Sequence, residues 1–154
     1  MATRTLSGTT TIARSPEQVW DLVSDVTRTG EWSPTCTSCW WDQGAGPVVG
    51  NWFTGRNEIP GRTWETRSLV VASERGRVFA WNVGESLSSW GYSMVPVDGG
   101  TEVTEFWEFL PDGLAYFRKT YGADADAQIA NRTEMARTGI PETLAALKRI
   151  AEAS

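Results

Sequence analysis

From Asp126 to Glu152 one apolar stripe recurs at helical spacing, and that stripe limits what the rest of the chain can be. Ile129, Arg132, Ala136, Ile140, Thr143, Leu144, Leu147 and Ile150 follow one another three or four residues apart, which lines them up along one side of a helix. Asn131, Glu134, Arg137, Glu142, Lys148, Arg149 and Glu152 fall largely on the opposite side. Such a helix would run roughly 40 Å at ~1.5 Å per residue, about the width of a small domain. A one-striped helix of that length needs a partner surface along its whole face. One feature interrupts it. Gly139-Ile140-Pro141 removes a backbone donor and crowds the carbonyl four residues back, at Arg137, so a bend or loosening is expected there.

The partner surface comes from the preceding hundred residues, whose period changes from helical to two. Arg4 to Ile12 is threonine-rich and suits a first strand. Ser15-Pro16-Glu17-Gln18 starts a helix on three agreeing signals: a serine cap, a proline in the first turn and a glutamine that closes a capping box. Val19, Leu22, Val23 and Val26 carry the pattern over about 16–24, and a second helical turn covers Arg28 to Trp32, ending before Pro34. Six strands are then predicted at 36–42, 51–59, 63–73, 77–84, 87–97 and 101–110. Gln43-Gly44-Ala45-Gly46-Pro47, Pro60-Gly61, Glu74-Arg75-Gly76 and Asp98-Gly99-Gly100 supply turns. Connections this short require antiparallel pairing. Residues 111–125 have no clean period and read as a partly helical connection. Strands segregated from one long helix make an α+β fold, a curved seven-stranded antiparallel sheet wrapped around the C-terminal helix.

Alternation sorts the faces. Phe53, Gly55, Asn57 and Ile59 are expected to point inward, as are Phe79, Trp81 and Val83, and Trp90, Tyr92 and Met94. On the fourth strand Trp64, Thr66, Ser68, Val70 and Ala72 form one set. On the last strand Val103, Trp107 and Phe109 share a face with Glu105, so an inward apolar face takes one carboxyl with it. A carboxylate is seldom buried without a partner. Asn57, Thr66, Ser68 and Tyr92 are the neighbours that could hydrogen-bond it, and an apolar setting would raise its pKa toward the range useful for proton transfer. The inward aromatics either fill the concavity as core or wall a pocket of ~300–1,000 Å³.

Composition excludes several classes. At 154 residues the chain is read as one domain able to bury a core without staples. Its net charge of -5 and scattered arginines leave no basic block for nucleic acid or an anionic membrane surface. No apolar run approaches twenty residues and no leader pattern precedes the first strand, so a cytoplasmic protein without integral membrane association is expected. Histidine is absent, which rules out Ser-His and Cys-His catalysis and the commonest zinc ligand. Cys36-Thr37-Ser38-Cys39 has redox spacing. It lies in a predicted strand, however, where residues three apart face opposite sides, and no redox or metal role is expected of it.

The order of elements resembles the helix-grip fold of the START-related, birch-pollen-allergen-like superfamily, also called SRPBCC or polyketide cyclase/dehydrase. The resemblance spans nearly the whole chain as one START-like domain over residues 1–154. It rests on Ser15 to Trp20 (SPEQVW), Glu31-Trp32-Ser33-Pro34, Gly50 to Asn57 (GNWFTGRN), Gly76 to Trp81 (GRVFAW), Trp90-Gly91-Tyr92, Gly100 to Glu105 (GTEVTE) and Thr143 to Lys148 (TLAALK). It implies an apolar cavity between sheet and helix; family members bind lipids, sterols, hormones or polyketides, and some cyclise or dehydrate polyketide chains.

The resulting expectation is a protein that binds or transports a hydrophobic small molecule, lipid- or polyketide-like, with no cofactor or metal. The candidate ligand-binding set is Phe53, Asn57, Trp64, Phe79, Trp81, Trp90, Tyr92, Glu105, Trp107 and Ile140. The alternative is a cyclase/dehydratase-type enzyme with Glu105 as acid/base and Tyr92 and Asn57 orienting a carbonyl. An interaction module built around 111–125 is a third reading, and a homodimer is left open.

Overall fold

The computed structural model describes residues 4–44 and 46–154; Met1 to Thr3, read as the lead-in to the first strand, and Ala45, inside a predicted turn, lie outside the described residues. Strand β1 (Arg4–Ile12) leads to helix α1 (Pro16–Val23) and a 3-10 turn (Val26–Glu31). Strands β2 (Cys36–Trp41), β3 (Trp52–Ile59), β4 (Arg62–Glu74), β5 (Val78–Val83), β6 (Ser88–Val97) and β7 (Gly100–Phe109) follow. Helices α2 (Pro111–Tyr121) and α3 (Ala125–Ala153) end the chain. The seven strands form one sheet in the order β1-β7-β6-β5-β4-β3-β2, and every ladder is antiparallel. This is the helix-grip arrangement. The capping box at α1 is complete: the Gln18 amide donates to Ser15 Oγ at 3.1 Å and the Ser15 amide to Gln18 Oε1 at 3.0 Å.

Residues 111–121 are more regular than their pattern suggests. They form an eleven-residue helix beginning on Pro111, because Leu114 is buried and Phe117 finds a partner on the sheet. Phe117 meets Phe109 edge-on at 5.0 Å. Gly113 allows the close docking, since a Cβ there would lie 2.0 Å from the Leu87 carbonyl oxygen.

Two β-bulges change the face assignments. The β4–β5 register shifts between Val70 and Ala72, so Val70 pairs with Trp81 whereas Ala72 pairs with Ala80 and Ser73 with Phe79. Ala72 therefore leaves the face it was expected to share with Val70. The β2–β3 register shifts at Thr37, so Cys36 pairs with Asn57 and Cys39 with Gly55. One extra residue reverses the parity of everything beyond it. The two cysteines, expected on opposite faces, both turn inward.

Helix α3 does not lie centrally over the sheet. Its closest seat is on β1, where a Cβ built at Gly8 would come 2.9 Å from Ile140 Cγ2 and 3.4 Å from Leu144 Cδ1. The missing side chain of Gly8 lets the helix backbone approach. Pro141 lies within the helix without ending it. Seating the helix on the β1 edge keeps it off direct packing against β3 to β6 and leaves a hollow between them. α1 and the 3-10 turn close one end of that hollow with Val23, Val26 and Trp32, all buried, and α2 borders the other.

Candidate functional site

The hollow is a cavity of about 500 Å³ between the sheet, the 3-10 turn, α2 and α3. Its walls are aromatic. Trp81 lies at the centre, with ring centroids 5.7 Å from Phe53, 5.6 Å from Phe79 and 5.9 Å from Tyr92. Trp107 continues the wall, 6.2 Å from Trp90 and 5.8 Å from Phe109. Such tilted and edge-on contacts hold each ring in place, so the wall is rigid although it borders empty space.

Glu105 is the one carboxyl among the described residues buried within this wall. It sits mid-strand on β7, opposite Tyr92 of β6 and Gly8 of β1, and is 4% exposed. Its Oε1 is buried and has no hydrogen-bond partner. Burial pushes its pKa from 4.5 up to about 8, so at neutral pH it is predominantly a protonated, hydrogen-bond-donating acid. The Tyr92 hydroxyl is pushed well above its ordinary value by burial and by Glu105, and it stays protonated too. Two of the polar neighbours proposed to satisfy Glu105 are engaged with each other: Asn57 Nδ2 donates to Thr66 Oγ1 at 3.3 Å across β3–β4.

The cavity brings together nine residues of the sequence-based set: Phe53, Asn57, Trp64, Phe79, Trp81, Trp90, Tyr92, Glu105 and Trp107. Ile140 is placed elsewhere. It belongs to a small cleft with Leu6, Ser7, Gly8, Arg137 and Pro141, because α3 rests on β1 at that turn. Sequence reasoning overlooked Cys36 and Cys39, which line the cavity once the Thr37 bulge turns them inward. The Cys36 thiol donates to the Ser38 carbonyl at 3.3 Å, and its contact with Cys36 together with burial pushes the Cys39 thiol up. Also overlooked were Arg62 and the α2 aromatics Tyr116, Phe117 and Tyr121. Arg132 carried a signal, an arginine on an otherwise apolar stripe. Among the described residues, no cluster of three or more acidic or cysteine side chains is arranged to hold a metal, and no helix is long and apolar enough to cross a membrane.

An antiparallel sheet gripping a C-terminal helix beside an aromatic cavity defines a START-like, hydrophobic-ligand-binding fold. The chain belongs to the family described as polyketide cyclase / dehydrase and lipid transport, whose model matches residues 3–152. It is similar to the solution structure of a polyketide-cyclase-like protein from Corynebacterium glutamicum, at 50% identity over 99% of this chain and 93% of that one, with a TM-score of 0.74. Its fold is also that of StfQ, a two-domain ARO/CYC protein of the steffimycin biosynthetic pathway (13% identity, 98% of this chain, 50% of that one, TM-score 0.68). Ara h 8.0201 shares it as well (15% identity, 99% and 100% coverage, TM-score 0.65). No curated protein matches the sequence.

Proposed function

We propose that the protein binds and carries an apolar small molecule, lipid- or polyketide-like, in the cavity beneath α3. The observation that carries this reading is a rigid aromatic chamber ending on a buried acid that has no protein partner at Oε1. A volume of about 500 Å³ falls within the ~300–1,000 Å³ range of small-molecule sites. An unpartnered buried polar atom costs on the order of 1–3 kcal/mol. A ligand carbonyl or hydroxyl reaching Glu105 would recover that cost, and the aromatic walls would bury its apolar remainder.

Titration of the intrinsic tryptophan fluorescence with medium-chain apolar compounds tests the proposal, because Trp32, Trp64, Trp81, Trp90 and Trp107 all line the cavity. Saturable one-to-one quenching is expected, weakened by about tenfold in Trp81→Ala through loss of stacked area. Non-saturable quenching, or equal affinity in the variant, would count against the cavity as the binding site.

A second reading has its own support: a carboxyl that titrates near 8 is suited to proton transfer at neutral pH. In a cyclase- or dehydratase-type reaction Glu105 would donate to and accept from the substrate, with Tyr92 donating to a carbonyl. Glu105→Gln would then abolish turnover of a reactive polyketone while ligand binding persists; retained turnover excludes the assignment.

A further inference from the structure

The cavity's open end carries two arginines that the binding of a purely apolar ligand leaves without a purpose. Arg62 opens β4 and Arg132 lies on the inward stripe of α3, and both line the same cavity. Each guanidinium is held over an aromatic ring, Arg62 4.3 Å from the Trp64 centroid and Arg132 5.4 Å from that of Phe117. Eight ion pairs are present among the described residues, and neither arginine belongs to one. Arg132 instead donates to neutral oxygens of its own helix, Asn131 Oδ1 at 2.8 Å and Gln128 Oε1 at 3.5 Å. Glu65 also lines the cavity, opposite Arg56 in the β3–β4 register, and is in ion-pair contact with neither Arg62 nor Arg132.

Two like charges bordering one half-buried opening repel each other. Burial and the field of Arg62 both push Arg132 below its ordinary value, with the neighbouring Tyr121 hydroxyl acting against them. In a chain of net charge -5, most arginines of the described residues find a carboxylate partner, and these two do not. Aromatic plates fix guanidinium planes without neutralising them, and fixed planar forks suit the two oxygens of a carboxylate or phosphate.

We propose that the ligand is an amphiphilic acid, whose oxyanion head is held between Arg62 and Arg132 at the cavity mouth while its apolar body lies along the aromatic wall toward Glu105. The inference rests on the cavity-binding reading and adds a polarity to it: anionic end outward, hydrogen-bond-accepting end inward.

Fluorescence titration with dodecanoic acid and with dodecan-1-ol, below their aggregation limits, tests it in the wild type and in Arg62→Gln/Arg132→Gln. In the wild type the acid is expected to bind about tenfold more tightly than the alcohol, the gain of charge-assisted hydrogen bonds. Raising the salt concentration should narrow that ratio. The double variant should bring the acid to within about twofold of the alcohol, with a several-fold larger loss for the acid than for the alcohol. Dodecyl phosphate binding as tightly as the acid would support a general oxyanion seat; binding no tighter than the alcohol would support one shaped for carboxylates. Equal binding of acid and alcohol to the wild type would overturn the head-group assignment and leave the cavity reading standing. An equal loss of both in the double variant would also overturn it, as the arginines would then act only on structure. No saturable binding by either compound would overturn both.

Discussion

Glu105 makes the stability of this protein depend on pH in an unusual direction. A carboxyl whose pKa rises from 4.5 to about 8 on folding binds its proton more tightly in the native state than in the unfolded chain. Its contribution to stability is therefore fully present below pH 4.5 and declines as pH rises toward 8, where the native group ionises. At ~1.36 kcal/mol per pH unit, that interval corresponds to on the order of 4–5 kcal/mol, a large share of a typical domain's stability of ~5–15 kcal/mol. Most carboxylates act the other way. Asp21, held below its usual range by the Arg75 guanidinium, and Asp42, held there by Thr54 and Arg67, stabilise above their unfolded pKa. Comparison with Glu105→Gln isolates the one group, because Gln keeps the shape and cannot ionise. Urea unfolding of both proteins from pH 5 to pH 9 is the assay. The variant should nearly match the wild type at pH 5 and exceed it by several kcal/mol at pH 9. Parallel stability curves across that range would refute the raised pKa of the buried carboxyl and with it the protonated donor in the cavity.

Two further outcomes follow from the seating of α3. Gly8→Ala should destabilise by ~1–2 kcal/mol, since its Cβ would lie 2.9 Å from Ile140 Cγ2 and overpacking outweighs the entropic gain of replacing glycine. Ile140→Leu, which removes that methyl, should restore part of the loss; additive losses in the double variant would show that the contact is not what matters. Pro141→Ala should raise the denaturation midpoint by the equivalent of ~1–2 kcal/mol, because it restores a donor facing the Arg137 carbonyl and the site is exposed. A lowered midpoint would mean that the proline-shaped helix is needed to seat Ile140 on β1.

Why this fold keeps a cavity at all comes down to where the helix touches. Had α3 lain over β5 and β6, its apolar stripe would have met Phe79, Trp81 and Tyr92 directly and filled the hollow. Gly8 offers a lower approach on β1 instead, and Gly113 draws α2 against Leu87 at the side. Two glycines, neither within the aromatic wall, thus help set its distance from the helices.

Local pattern alone determined much of this protein. Period-two segments joined by short turns dictate antiparallel strands, a three-four stripe dictates the long helix, and simple alternation put Phe79, Trp81, Tyr92, Glu105 and Trp107 on one face. Those inferences succeed because backbone geometry makes side-chain direction a local property. What alternation missed is equally specific. The bulges at Thr37 and Val71 depend on pairing with another strand, so Cys36, Cys39 and Ala72 changed sides without any mark in their own segments. Ile140 satisfied the helical pattern, yet its neighbour was decided by a glycine more than a hundred residues away. Arg62 and Arg132 became companions only when β4 and α3 met at the cavity mouth. Direction along an element is fixed by its own residues; which elements touch, and how closely, is decided by packing across the whole chain.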